Sequence, residues 1–456
     1  MMPLTAVYRR TAARSSSLFA NSQRRFSNFG LNQTVRNPTK ISAKVHNNSF
    51  YTNFQHRIGF NSISISHTRP SSISLRHSYR RFPSTSMAST SSSSNNPISD
   101  TMASLSVSDP SAEDEGKRVY QPRYIDVGIN LTDKMFQGVY NGRKSHDSDL
   151  ENVIQRAQAV GCKMLMVTGS DYQNSQDAVN MAKAYPGLIF ATVGVHPCSA
   201  SALINSAGGV ENLPSALKPV EELALQGKTQ GTVTAFGELG LDYDRFHYSD
   251  KESQLVVFEQ QLEIAKRVDL PLFLHSRAAE EDFNRLLFAA KLPRKGLVHS
   301  FTGTVEEMKI LVGEGYDIGI NGCSLKTEEN LAVVKELPLE RLQIETDGPW
   351  CEIRGTHASA KYLRTMPAYL TDIVPGDVKK DRFKVGMRVK GRNEPCAIAG
   401  VAWVISQVKG CSFKEVCEKS WENSMKMFRF DEAAILQEEF KESNPDSKAV
   451  EAEEQG

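Results

Sequence analysis

Acidic residues are missing from the first 99 positions of this chain, where Asp100 is the first, and 13 of the 54 Lys and Arg fall there. Composition of that kind, rich in Arg and Ser and poor in acid, is that of an organelle transit peptide. Residues 1–118 are therefore expected to be a disordered leader, read either as a transit peptide for a mitochondrion or chloroplast or as an ordinary disordered tail or upstream sequence. Met87 and Met102 offer shorter starts, which would leave the product in the cytoplasm or nucleus. The rest carries 41 basic residues against all 53 acidic ones, a formal charge of −12. A body this acidic excludes coating nucleic acid over a broad surface, so any DNA contact is expected to be local. No CxxC pair occurs among the seven cysteines, and their number is odd. A disulfide framework or a Cys-type zinc site is therefore not expected. No run of 18 apolar residues is present, so no spanning helix and no membrane partner are expected.

What is present begins at Tyr124, where short apolar runs alternate with helical patterns, the order of a parallel α/β sheet. Eight strands are predicted: Tyr124–Asn130, Lys163–Gly169, Leu188–Val195, Val233–Glu238, Pro271–His275, Gly296–Phe301, Tyr316–Asn321 and Arg341–Asp347. Helices are predicted between them, and Pro395–Val408 and Phe413–Phe428 follow. The α/β class with this count predicts a (β/α)8 TIM barrel of the metal-dependent hydrolase type over residues 119–430. An acidic tail at 431–456 and a strongly basic loop at 376–393 depart from that pattern.

Four runs finish on Glu238, His275, His299 and Asp347. Barrel enzymes gather their chemistry from the C-terminal ends of several strands, and buried strands otherwise favour Val, Leu, Ile and Phe. A single His at such a place is usually structural, but two with a Glu and an Asp point to one divalent-metal site. Mixed imidazole and carboxylate donors suit one or two Mg²⁺ or Mn²⁺ ions, and imidazole also suits Zn²⁺. Asp347 doubles as a general base, because a carboxylate beside a cation stays ionised. His196, in Val193-Gly-Val-His-Pro197, is read as a catalytic donor to a phosphate or leaving group, or else as a structural residue before proline. Arg277 is read as a bidentate phosphate holder or a surface ion pair. Asp242 is read as a helix cap or as an orienting carboxylate, and Trp350 as a base-stacking or packing residue.

The motifs Asp126-Val-Gly-Ile-Asn-Leu-Thr132, Gly194-Val-His-Pro197, Gly237-Glu-Leu-Gly-Leu-Asp242, Leu274-His-Ser-Arg277, Val298-His-Ser-Phe-Thr-Gly303, Ile344-Glu-Thr-Asp-Gly-Pro349 and Arg392-Asn-Glu-Pro395 occur in one order. Together they resemble the TatD-type deoxyribonucleases, from about Tyr124 to Phe430. Asn321-Gly-Cys-Ser-Leu-Lys326 and Trp350-Cys351 resemble the eukaryotic TatD DNase domain-containing protein 1 group. The resemblance implies that Glu238, His275, His299 and Asp347 bind metal, and that DNA phosphodiester bonds are hydrolysed, often 3′→5′ from an end. Related barrels carry His-x-His after strand one, and the resemblance aligns Asn130-x-Thr132 with that position here. A single copy is the expected state. The alternatives are a hydrolase of a small amide or ester in the same barrel class, and a binding protein without turnover.

Overall fold

The structure, a computed structural model, describes residues 120–431. The leader expected at 1–118 and the tail from residue 432 onward lie outside the described residues. Eight strands form one parallel sheet in chain order: β1 (Tyr124–Ile129), β2 (Cys162–Val167), β3 (Ile189–Val193), β4 (Val233–Asp242), β5 (Leu272–Arg277), β6 (Gly296–Val298), β7 (Asp317–Ile320) and β8 (Leu342–Ile344). The intervening helices include α1 (Leu150–Ala159), α2 (Tyr172–Ala184), α3 (Ala200–Ala207), α4 (Leu213–Thr229), α5 (Lys251–Val268), α6 (Glu280–Ala289), α7 (Val305–Gly313) and α8 (Glu328–Glu336). The chain closes with α9 (Ile398–Lys409) and α10 (Phe413–Phe428). This is a (β/α)8 barrel.

Local chemistry sets the helix starts. Asp171, Asp250, Thr304 and Ser412 each accept a hydrogen bond from a first-turn backbone N–H, and Thr327 forms a capping box with Asn330. The residues missed by sequence reasoning are α3 and α4, between β3 and β4. Gly208-Gly209 and Pro219 interrupt the pattern there, yet Pro219 sits inside α4, while Leu217, Val220 and Ala224 are buried. Packing onto the sheet outweighs the propensity of a single proline.

Two clusters divide the core. One fills the layer between strands and helices. The other joins Ile125, Val127, Met164, Met166, Ala235, Phe273 and Leu297 to Trp421 and Phe428 of α10. Since α10 supplies two aromatic rings to this barrel-strand cluster, the last helix stoppers one end of the barrel. The seam between β1 and β8 closes through loop bonds. The Asp347 N–H donates to Gly128 C=O at 2.8 Å, and the Asn130 N–H donates to Gly348 C=O at 2.8 Å. Barrel closure thus uses the residue expected to do chemistry.

Strand lengths differ from expectation in one informative way. β4 runs on through Leu239, Leu241 and Asp242, all buried, so Glu238 lies inside a strand rather than at its end. β5 likewise continues through His275 to Arg277. His299 follows β6 by one residue and Asp347 follows β8 by three. The basic loop is also structured. Asp377–Val378 pairs in parallel with Arg388–Val389, and a 3-10 turn, Lys380–Arg382, stands between them. Lys379, Lys380, Arg382, Lys384 and Lys390 are exposed, whereas Arg392 is buried. Among the described residues no single helix is long and apolar enough to cross a membrane.

Candidate metal centre at the barrel mouth

Glu238 is the hub. Its Oε1 lies 2.7 Å from His275 Nδ1, 2.6 Å from His299 Nε2 and 3.4 Å from His196 Nε2. The two imidazole nitrogens facing it, His275 Nδ1 and His299 Nε2, are 3.3 Å apart. Four polar side-chain atoms from β4, the loop after β3, β5 and the loop after β6 therefore converge on one point. Two triads could each hold an ion, Glu238–His275–His299 and His196–Asp242–His275, and they share His275.

Outer carboxylates orient the rings. Asp242 Oδ2 faces His275 Nε2 at 3.2 Å, and Asp242 Oδ1 accepts from the Asp244 N–H at 3.1 Å. Asp242 is thus both a cap and an orienter. Glu345 Oε2 faces His299 Nδ1 at 3.4 Å, and neither atom has another hydrogen-bond partner. A carboxylate behind each imidazole fixes its tautomer and raises its basicity toward a cation. Glu345 was not singled out from sequence. It fits inside the barrel because Gly128 and Gly319 leave room for it: a Cβ on Gly128 would lie 2.4 Å from Glu345 Oε2, and one on Gly319 would lie 3.1 Å from Oε1. A carboxylate in an apolar run facing two glycines was the available signal. Glu345 also accepts from the Ser300 N–H and, at 3.2 Å, from the Asn321 amide.

Asp347 approaches from the β1–β8 seam. Its Oδ1 accepts from the Asn130 amide at 2.9 Å, and its Oδ2 accepts from the Cys351 thiol at 3.2 Å. The side chain of Thr132 instead accepts from Asn174 at 2.8 Å. Asn130 and Thr132 are thus turned to different partners, Asp347 and Asn174, and do not converge on one ion. Arg277 reaches across to the loop after β6, donating to Thr302 Oγ1 and, at 3.1 Å, to Ser300 C=O. Trp350 is exposed beside the mouth.

The electrostatics follow from burial and neighbours. Burial opposes ionisation of Glu238, but His299 and His196 outweigh it and hold the carboxyl well below the usual range. Burial likewise opposes charge on His299, but Glu238 and Glu345 hold its pKa well above the ordinary imidazole value. His196 is pushed down to about 4, chiefly by burial, so it is neutral near pH 7. Burial pushes Asp347 up to about 6, against the opposing pull of His299. A buried anion ringed by three imidazoles, two of them backed by carboxylates, is a donor set that fits a divalent ion.

Fold and site together define a (β/α)8-barrel hydrolase with a metal-type donor set at the C-terminal mouth. The TatD related DNase family model matches residues 125–429. The chain belongs to that family. It is 46% identical over 308 residues to the Deoxyribonuclease Tat-D of Schizosaccharomyces pombe, covering 67% of this chain and 95% of that protein. It is 36% identical over 255 residues to the 3′-5′ ssDNA/RNA exonuclease TatD of a Rahnella species, covering 55% of this chain and 88% of that one. Its fold matches the crystal structure of an uncharacterized amidohydrolase from Saccharomyces cerevisiae with a TM-score of 0.60 and 37% identity. That match covers 67% of this chain and 99% of the other.

Proposed function

We propose that this chain is a divalent-metal-dependent nuclease that hydrolyses phosphodiester bonds of DNA from a 3′ end. The observation that carries the reading is the convergence of His275 and His299 on Glu238 Oε1, within 2.7 Å, in a barrel of the TatD family. Glu238, His275, His299 and Asp347 would hold Mg²⁺ or Mn²⁺, with Zn²⁺ the alternative that imidazole donors favour, as one ion or two. A bound ion would supply positive charge against the scissile phosphate and make water a stronger acid.

The chain's own groups do the rest. Asp242 and Glu345 keep the two imidazoles turned toward Glu238. Asp347, with Oδ1 held by Asn130, accepts the attacking water's proton on Oδ2. A carboxyl pushed to about 6 is ionised at neutral pH and still basic enough for this role. Neutral His196 donates a hydrogen bond to the phosphate or leaving oxygen, and Arg277 neutralises phosphate charge. The exposed cations of the 376–393 segment supply a local DNA contact. That segment abuts the mouth, because Asn393 donates to Pro349 C=O at 3.0 Å and to Thr346 C=O at 2.8 Å.

The test is cleavage of 3′-labelled and 5′-labelled single-stranded DNA by the full chain with Mg²⁺, Mn²⁺ or EDTA, beside Glu238→Ala and His275→Ala. Metal-dependent shortening from the 3′ end, lost in both folded variants, is the expected result. Full activity in either variant would sink the assignment. No cleavage with any metal would favour the small amide or ester substrate instead.

A further inference from the structure

Seven free cysteines are present, and two of them meet at the site. Cys323 opens the turn after β7, and Cys351 lies in the loop after β8. Neighbouring parallel strands deliver their following loops to the same end of a barrel, so these loops are side by side. The contact is close. A Cβ on Gly322 would lie 1.9 Å from Cys351 C=O, so only glycine allows this approach. The two side chains are near enough to shift each other's ionisation in opposite directions, and the Cys351 thiol donates to Asp347 Oδ2 at 3.2 Å. Both cysteines are half-buried, open to a small oxidant, whereas Cys162, Cys396 and Cys417 are fully buried.

We propose that Cys323 and Cys351 form a reversible disulfide that switches the metal centre off by withdrawing Cys351 from Asp347. The proposal rests on the nuclease reading for its consequence, but not for its chemistry. With a peroxide as oxidant, the Cys323 thiolate attacks one peroxide oxygen, the O–O bond breaks, and hydroxide leaves to become water. The Cys351 sulfur then attacks the sulfenic sulfur, the S–S bond forms, and the S–O bond breaks with loss of a second water. Two thiols are oxidised by two electrons, and one hydrogen peroxide is reduced to two waters. The Cys351 side chain beside it holds the Cys323 thiol below its ordinary value, which suits Cys323 to attack first. Closing the bond turns Cys351 Sγ toward Cys323 and removes its hydrogen. Asp347 Oδ2 then loses its thiol donor, and the loop that presents it is drawn toward β7.

The test treats the full chain with hydrogen peroxide, then maps peptides after blocking remaining thiols. A linked Cys323–Cys351 peptide, two hydrogens lighter than the free pair, is expected. Mn²⁺-dependent DNA cleavage should fall at least ten-fold and return with dithiothreitol, and Mn²⁺ affinity measured calorimetrically should fall with it. Cys323→Ser should keep its untreated activity and give neither the linked peptide nor the reversible loss. Absence of the linked peptide overturns the proposal, as does a linked protein with unchanged cleavage and Mn²⁺ affinity. Should the untreated chain cleave no DNA, the nuclease reading fails alone, because the peptide map and Mn²⁺ affinity still decide this one.

Discussion

Asp126 shows how far burial can move a single side chain in this barrel. It is fully buried in β1 and accepts hydrogen bonds from the Thr346 N–H at 2.9 Å, the Thr346 hydroxyl and the Gly128 N–H at 3.3 Å. Those donors favour the ionised form, yet desolvation outweighs them and pushes its pKa up to about 8. The folded chain therefore holds this proton more tightly than the unfolded chain, whose ordinary value is 3.8. The resulting stabilisation is full below about pH 4 and is lost as pH rises through about 8. The slope contributed is up to about 1.4 kcal/mol per pH unit across that window. Asp126→Asn cannot titrate, so urea unfolding at pH 5, 6.5 and 8 should show a flatter pH dependence than the parent chain. Parallel slopes for the two proteins would mean that Asp126 is ionised when folded.

The segment that follows the last strand is held by an ion cluster rather than by a sheet. Arg392 donates to Asp149 Oδ1 and Oδ2 at 2.7 and 2.6 Å and to Glu394 Oε1 at 2.9 Å. Arg156 of α1 donates to Glu394 Oε2 at 2.8 Å, completing a four-membered network. Next to it Asn393 grips the backbone on both sides of Asp347. The Arg392-Asn-Glu-Pro395 motif thus reads as a clamp on the Asp347 loop, not as a contact with substrate. Removing one partner of a buried ion network leaves charge uncompensated, so Arg392→Ala should destabilise the fold by about 3–5 kcal/mol. The drop should appear as a lower urea midpoint. A midpoint within experimental error of the parent would show that Arg156 alone balances both carboxylates.

At the scale of the whole molecule, a candidate metal centre lined by carboxylates sits in an acidic body, and yet the proposed substrate is a polyanion. In the proposed reading, the exposed cations at Lys379, Lys380, Arg382, Lys384 and Lys390 answer that conflict locally. Lys380 also covers the Tyr140 ring at 4.8 Å, and Phe383 stacks on His146 at 4.1 Å, which pins the segment to the loop after β1. Reversing the charge at Lys379, Lys380 and Arg382 should raise the KM for single-stranded DNA and leave kcat near its parent value. The dependence of log affinity on log salt should flatten by about 0.7 per lost phosphate contact. An unchanged salt slope would take the segment out of the substrate path.

The sequence by itself determined the strand order and the four candidate ligands, because buried strands are nearly all apolar and a Glu, His or Asp within or just beyond them stands out. It marked the starts of α5, α7 and α8 as well, since the Asp250, Thr304 and Thr327 caps act through near neighbours, but not those of α3 and α4. It could not place Glu345 or Asp242 behind the imidazoles, nor show that Arg392 is buried in an ion cluster. It could not reveal that Cys323 meets Cys351, or that Asn130 reaches Asp347 across 217 residues of chain. Those contacts exist only once the first and last strands close the barrel and adjacent loops meet. A local pattern records what a residue needs from its neighbours in sequence, whereas closure decides which distant residues become its neighbours in space.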